Sequence, residues 1–243
     1  MTEAKRNRSV RLGRRYAVAA AAVLSLLVTP VFADLFSSYA VNGRGNDGKS
    51  YDGTVNVTPA EQVYRLEFCC DKFKGLGIEY QDFLAFAYVS DSNHDSGDLN
   101  IYRRAGNAWI GVFSDYTDNG LGAEVLSNNG QTPALPNLSR AKSRKPVGKY
   151  RISGTNPNGS TYTGEVEIKS WSDAFDVARK IGSDETSGTA VSFDGALVIN
   201  VGKDNSRVPI GVLGLFVPEG DGFVGVWVRA GTQRMGAERW ARE

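Results

Sequence analysis

Residue types that supply common chemistry or covalent cross-links are scarce in this chain. Its 243 residues include one histidine, His94, so the usual general base near neutral pH is almost absent. The only two cysteines, Cys69 and Cys70, are adjacent, which excludes a framework of disulfides between distant segments. They remain compatible with two free thiols, with a vicinal disulfide, or with an intermolecular bridge through Cys69.

The segment after residue 33 also lacks the motifs that mark common enzyme sites. It contains no Gly-x-Ser-x-Gly elbow, P-loop, zinc-ligand spacing or dinucleotide-binding glycine pattern. The formal net charge is +1, and acids and bases are interspersed, so no basic stripe indicates a nucleic-acid partner. We therefore expect a protein that is not an enzyme, has no cofactor and binds no nucleic acid.

The first 33 residues have the composition of a signal peptide. A basic n-region precedes an apolar run at 17–28 and the small-residue cleavage site Val31-Phe32-Ala33. The apolar run is shorter than the roughly 20 residues that a membrane-spanning helix needs. We expect cleavage after Ala33, a periplasmic or secreted mature protein, and no stable membrane span after processing. The alternative is an uncleaved membrane anchor.

The rest of the chain contains one motif twice. The matched residues are glycine, aromatic and aliphatic, and at first they lie 111 positions apart: Tyr39 with Tyr150, Gly43 with Gly154, Gly48 with Gly159, Tyr51 with Tyr162, Gly53 with Gly164. The offset then drifts to 112, pairing Asp82 with Asp194 and Leu84 with Ala196, and finally to 114. A period this long indicates a duplicated domain, because solenoid repeats run to roughly 20 to 50 residues.

The duplication divides the mature chain into two domains and a linker. We predict a first β domain at 34–127 and a second at 148–243. The segment 128–147 between them is rich in Pro, Asn, Ser and Lys, as a partly extended basic linker would be.

Turn signals and alternating patterns predict an all-β fold in both copies. Asp47-Gly48 and Asn158-Gly159 are strong hairpin signals, because both central residues of a type I′ turn need a positive φ. Apolar and polar residues then alternate with a period of two, as in a strand that buries one face. Only 171–181 approaches a helical pattern, and its counterpart in the first copy favours a strand.

Eight short strands are predicted in each copy. The ranges are 38–43, 50–57, 63–70, 76–80, 82–89, 98–103, 108–113 and 122–126, then 148–154, 161–169, 174–180, 188–192, 195–201, 210–216, 222–228 and 234–239. Eight sequential antiparallel strands favour closure into an up-and-down barrel of the avidin or lipocalin kind, because closure removes exposed sheet edges. The alternative is an open meander packed against its twin.

The most specific matched acids are Glu124 and Glu238, each in a Gly-Ala-Glu triplet. Two carboxylates can hydrolyse a glycoside only when they lie within roughly 10 Å of each other around one substrate. These lie one per domain, so we expect each to have a structural role, such as pairing with an arginine.

Aromatic residues supply the other candidate sites. Inward-facing aromatics either fill a small barrel or line a ligand pocket, and the pocket candidates are Tyr51, Trp109, Tyr162 and Trp227. A strand near 82–89 is apolar on both faces, which indicates that something packs on its outer surface, and the twin domain is the simplest candidate. The interface candidates are Phe83, Phe86, Tyr88 and Cys69.

One loop partly matches a calcium site. Asp91, Asn93 and Asp95 have the spacing of the first oxygen ligands of a calcium loop. However, Ser96 stands where glycine is expected, and Tyr102 stands where a bidentate glutamate is expected. An ordinary turn is the alternative interpretation.

A string of turn and core residues runs through both copies. It reads Tyr-x-Val/Ile-x-Gly followed by Asn/Asp-Gly-x-x-Tyr-x-Gly-x-Val-x-Val/Ile, most closely at 150–168. This string resembles small exported bacterial proteins, some of which are labelled fibronectin-binding by similarity. The resemblance assigns no functional residue. Single-copy members often have one cysteine on each of two neighbouring strands, and the adjacent Cys69 and Cys70 depart from that pattern.

These features together predict an exported, non-enzymatic binding protein. Its partner would be a host or envelope macromolecule, recognised through the aromatic strand and the linker, or a small apolar ligand in one or both barrels. The alternative is a structural envelope protein that associates with itself, and a hydrolase is the third hypothesis.

Overall fold

Two closed eight-stranded β-barrels, one from each copy, form the computed structural model. The structure describes residues 35, 38–69, 73–90, 96–116, 120–128, 132–141, 146–203 and 211–243. Within each barrel, every strand pairs antiparallel with its sequence neighbours, and the last strand closes on the first. The prediction of two antiparallel up-and-down barrels is therefore confirmed, and the open meander is excluded.

The strand bounds are close to those predicted. The first barrel contains β1 (Ser38–Arg44), β2 (Ser50–Ala60), β3 (Val63–Cys69), β4 (Phe73–Tyr80), β5 (Phe83–Ser90), β6 (Asp98–Ala105), β7 (Ala108–Asp115) and β8 (Leu121–Ser127). The second contains β9 (Gly148–Thr155), β10 (Thr161–Trp171), β11 (Ala174–Ile181), β12 (Asp184–Phe193), β13 (Ala196–Gly202), β14 (Val212–Glu219), β15 (Gly222–Arg229) and β16 (Gly236–Arg242).

The segments outside the barrels contain little regular structure where they are described. A short 3₁₀ helix, Leu138–Arg140, lies between the barrels, and Asn137 caps it by accepting a 2.9 Å hydrogen bond from the Ser139 N–H. Within the described ranges, no helix is long and apolar enough to cross a bilayer. The predicted signal peptide at 1–33 lies outside those ranges.

The two predicted hairpins are present, but their turn type was wrong. The loops span 45–49 and 156–160, and in each only the glycine has a positive φ, 82° at Gly48 and 85° at Gly159. The residue before the glycine is held by its own side chain: Asp47 Oδ1 accepts from the Lys49 N–H at 2.9 Å. The corresponding asparagine of the second loop accepts from the backbone N–H two residues on, at 3.0 Å. This local bond shapes the turn without the second positive φ of a type I′ turn.

One part of the repeat alignment also needs correction. The turns that follow β4 and β12 begin with left-handed residues, Gln81 at φ 55° and Asp194 at φ 51°, so the offset there is 113. Leu84 therefore matches Leu197, and both side chains lie inside their barrels. Ala196 instead lies in the cluster between the barrels, because a shift of one residue moves a strand side chain to the opposite face.

An apolar interface joins the two barrels. The outer faces of β4–β7 pack against those of β12–β15, with β4 against β14 and β6 against β12, so a pseudo-twofold axis relates the barrels. Its buried residues include Ile78, Ala85, Ala87, Leu99, Ile101, Val112, Val191, Phe193, Ala196, Val198, Leu213 and Leu215. The second barrel is thus what covers the outer face of the apolar strand β5.

Hydrogen bonds between the barrels accompany this apolar contact. The Asn200 side chain donates to Tyr116 Oη at 2.5 Å, and both residues are buried. The Met235 N–H donates to Gln62 Oε1 at 2.8 Å. These bonds fix how the barrels sit against each other, because hydrogen bonds are directional and apolar packing is not.

Cutting the linker should leave the barrels associated, because the interface consists of packed side chains that do not depend on the connection. The linker would be cut at a protease site inserted at 142–145, and size-exclusion chromatography would measure the product. We expect a single species that elutes at the same size as the uncut protein. Val198→Asp places a charge in the interface and should release separate halves after the same cut. Dissociation of the cleaved wild type would contradict the prediction.

Candidate functional site

Two buried glutamates occupy the same place in the two barrels. Glu124 on β8 and Glu238 on β16 are 1% and 2% exposed. Across the seam that closes each barrel, Glu124 pairs with Gly43 on β1, and Glu238 pairs with Gly154 on β9. Both carboxylates lie inside, towards the end of the barrel that carries the loop 45–49 or 156–160. We call this the hairpin end, and the opposite end the turn end.

A tyrosine ring lies over each seam glycine. A Cβ added to Gly43 would lie 2.2 Å from Cζ of Tyr51, and one added to Gly154 would lie 2.3 Å from Cζ of Tyr162. Any side chain at the glycine would displace the ring, so only glycine fits beneath it. The tyrosine hydroxyl then donates to the glutamate of its own barrel. The recurring Tyr, Gly and Glu of the sequence therefore form one structural unit.

In the second barrel, the buried glutamate has an internal counter-charge. Arg179 on β11 points inwards and forms an ion pair with Glu238. The arginine side chain is 9% exposed, and that of the glutamate is fully buried. Trp240 Nε1 donates to the other carboxylate oxygen at 2.8 Å. This carboxylate is thus satisfied by a cation and by neutral donors together.

In the first barrel, the matched glutamate has only neutral partners. Glu124 accepts from Tyr51 Oη at 3.1 Å, from Asn100 Nδ2 at 3.2 Å and from Tyr102 Oη. It has no ion-pair partner among the described residues, because Phe68 occupies the position that Arg179 has in the second barrel. Burial raises the pKa of Glu124 to about 7, although these donors act to lower it.

Further polar groups collect around Glu124. Burial, with the nearby carboxylates of Asp115 and Glu124, raises the pKa of Asp98 to about 8. Tyr88 Oη and Asn100 Oδ1 are buried without a hydrogen-bond partner in the described part of the chain. Natural structures leave few such atoms unpaired. The hairpin end of the first barrel thus combines acidic groups with unused hydrogen-bonding capacity.

The four predicted pocket residues do not form one site. Tyr162 and Trp227 lie together at the hairpin end of the second barrel, with ring centroids 6.3 Å apart. Tyr51 lies at the hairpin end of the first barrel. Trp109 is 2% exposed at the turn end, where the Arg104 guanidinium stacks on its ring at 4.3 Å. Trp109 therefore fills the barrel and is corrected from a pocket residue to a core residue.

A surface groove lies at the hairpin end of the second barrel. Its volume is about 630 Å³. The hairpin 156–158, the connection 231–234 and strand β15 line it, and Glu61 from a turn of the first barrel completes it. Trp227 and Arg229 come from the same strand. The groove therefore lies at the boundary of the two barrels, a common place for ligand sites.

Another groove is charged and lies beside strands β9–β12. Its volume is about 500 Å³, and exposed lysines and glutamates, among them Lys149, Glu165 and Lys203, surround it. Several of these side chains are paired, such as Lys180 Nζ with Glu185 Oε1 at 2.7 Å. Exposed pairs of this kind contribute little energy, so this groove is a weaker candidate than the first.

Three of the predicted interface residues lie on strand β5, and they divide between its two faces. Phe83 packs against the cluster between the barrels, with Ala85 and Ala87. Phe86 and Tyr88 lie in the core of the first barrel, because alternate residues of a strand point to opposite faces, so their assignment to an outer surface is corrected. Cys69 ends strand β3.

The metal candidates Asp91, Asn93 and Asp95 lie outside the described residues. Within the described ranges, no group of three or more His, Cys, Asp or Glu side chains is placed to hold a metal ion.

Sequence reasoning did not identify Arg179, Asp98 or Asn100 as members of a site. A signal for Arg179 was present, since the offset of 111 pairs it with Phe68 at a position that points inwards in both copies. The inward face of β6 carries four polar residues in alternation, Asp98, Asn100, Tyr102 and Arg104. From the sequence alone, such a polar face would be expected to face solvent.

No protein-family model and no curated protein sequence matches this chain.

Raising the pH should weaken the wild-type fold through the first barrel. A carboxyl with a raised pKa in the folded state stabilises the fold fully below its unfolded pKa, and this contribution is lost as the pH rises through the folded pKa. For Glu124 that window runs from 4.5 to about 7, and for Asp98 from 3.8 to about 8. The Glu124 shift corresponds to about 3 kcal/mol. Denaturant unfolding of wild type and Glu124→Gln between pH 5 and pH 8 checks this. The free energy of unfolding of the variant, relative to that of wild type, should be higher at pH 8 than at pH 5. A relative free energy that is the same at both pH values would contradict the prediction.

The matched substitution in the second barrel should lower the stability of the fold. Glu238→Gln removes the charge that compensates the buried Arg179 guanidinium, and breaking a buried pair from one side costs about 3–5 kcal/mol. Urea unfolding should show this loss at both pH 5 and pH 8. Replacing both partners, with Arg179→Met and Glu238→Gln together, should recover part of it. A single variant as stable as wild type would show that the ion pair contributes nothing.

Proposed function

We propose that this protein is an exported, non-enzymatic binding protein whose ligand site is the groove at the hairpin end of the second barrel. The observation that supports it is the groove itself, about 630 Å³ in volume and formed by both barrels. Ligand sites for small molecules fall in the range of about 300–1,000 Å³. Export is inferred from the composition of residues 1–33.

The lining suits a ligand that has an apolar body and an anionic group. Trp227 supplies an aromatic surface, and Arg229 supplies a guanidinium with no ion-pair partner among the described residues. Arg234 is partly compensated by Glu61, with Nε and Oε2 3.5 Å apart. One positive charge thus remains for the ligand. Arginine binds carboxylate and phosphate groups through paired N–H donors.

A site inside a hollow barrel is less well supported than the groove. Large aromatic side chains occupy both interiors, including Tyr39, Phe86 and Trp109 in the first barrel and Phe216 and Trp240 in the second. Recognition of a macromolecule through β5 is also less well supported, since the second barrel covers its outer face.

Two features favour a binding role over catalysis. Glu124 and Glu238 lie in separate barrels and are hydrogen-bonded within them, so they do not flank a common substrate. The groove residues Trp227 and Arg229 supply contacts and charge, while a nucleophile with an adjacent base is not among its lining residues.

Calorimetric titration of the mature protein with aromatic and medium-chain carboxylates would test the groove. We expect at least one carboxylate to bind with 1:1 stoichiometry, and the matching neutral amide to bind more weakly. Arg229→Gln should weaken binding about ten-fold or more, since it removes a hydrogen bond to a charged group. Arg239→Gln is the matched control, because this exposed arginine pairs with Glu219 away from the groove. Equal affinities for Arg229→Gln and wild type would reject the site.

A further inference from the structure

We propose that the hairpin end of the first barrel binds an organic cation, a guanidinium or alkylammonium group, against Glu124 within a set of aromatic side chains. This site is separate from the groove of the second barrel and has the opposite charge preference. It goes beyond the proposed function, since either site can be present without the other.

The second barrel shows what the first one lacks. Its matched glutamate is held by Arg179, an internal guanidinium that reaches the carboxylate from strand β11. Strand β3 is the counterpart of β11, and it carries Phe68 at this position. The first barrel thus retains the buried carboxylate without the cation. A ligand that supplies a cation would restore the pairing that the duplicate makes within its own chain.

The hydrogen-bonding groups around Glu124 match such a ligand. Tyr88 Oη and Asn100 Oδ1 can both accept, and both are buried without a partner among the described residues. Tyr88 and Asn100 are 2% and 3% exposed. Burial, together with the carboxylates of Glu124 and Asp98, raises the pKa of Tyr88 well above its usual value, so the three groups share one buried region. Guanidinium and ammonium groups carry several N–H donors and no acceptor, so they complement this set.

Aromatic rings surround the carboxylate at the hairpin end. Tyr51 and Phe113 meet edge to face at 6.1 Å, and Phe68 and Tyr88 do so at 5.3 Å. Tyr51, Phe68 and Phe113 are only partly buried, so they form the outer part of the site. The face of an aromatic ring attracts a cation, and aromatic cages are the usual sites for organic ammonium ligands.

Calorimetric titration of the mature protein with n-butylguanidinium and n-butylammonium tests the proposal, with butyramide as the neutral control. We expect saturable 1:1 binding of at least one cation and none of the amide. An arginine-containing pentapeptide forms a second arm: if it binds as tightly as the free cation, the site takes protein side chains, and if only the free cation binds, the site takes small molecules. Wild-type protein that binds neither cation nor peptide would overturn the proposal.

Three variants separate a ligand site from a structural effect. Glu124→Gln keeps the size of the side chain and should weaken cation binding at least ten-fold. Phe68→Arg supplies an internal guanidinium, as in the second barrel, and should abolish binding while raising the melting temperature. Glu165→Gln removes an exposed carboxylate of the second barrel and should leave affinity unchanged. Binding that survives Glu124→Gln undiminished would overturn the proposal, whether or not the Phe68→Arg protein folds.

Discussion

The closing seam of each barrel depends on a glycine that lies beneath a tyrosine ring and opposite a buried glutamate. Without a side chain at Gly43 or Gly154, the ring can lie along the strand and bring its hydroxyl to the carboxylate. A buried carboxylate is costly unless donors surround it. The seam therefore requires the tyrosine as much as the tyrosine requires the glycine, which explains why these residues recur together while many others between them differ.

The two copies satisfy the same buried carboxylate by different means. Arg179 compensates Glu238 with a full charge, whereas Glu124 relies on neutral donors and on a pKa raised to about 7. Because each barrel closes on itself, a change inside one need not disturb the other. The two interiors therefore differ independently: one contains an ion pair, and the other contains an acidic group whose charge depends on its surroundings.

Turn residues and period-two alternation were sufficient to predict sixteen strands and two barrels, since both signals are local. Assigning side chains to faces was harder, because it depends on register. The one-residue error that matched Leu84 with Ala196 placed a core residue opposite an interface residue. Phe86 and Tyr88 were assigned outwards because this strand is apolar on both faces, although they lie on the opposite face from Phe83. The groove could not be predicted at all, because Glu61 and Trp227 meet only through the packing of one barrel on the other.

The pseudo-twofold interface also decides where a groove can form. It places the turn end of the first barrel beside the hairpin end of the second, so that Glu61 pairs with Arg234 across the boundary. A single barrel would leave Trp227 and Arg229 without Glu61, the first-barrel residue that completes the groove. A ligand of the proposed groove that touches both barrels would gain affinity from the packed interface and would in turn stabilise it, since binding to the associated state alone shifts the equilibrium towards that state. The apolar contact between the barrels and the proposed binding site at its edge would thus be energetically linked.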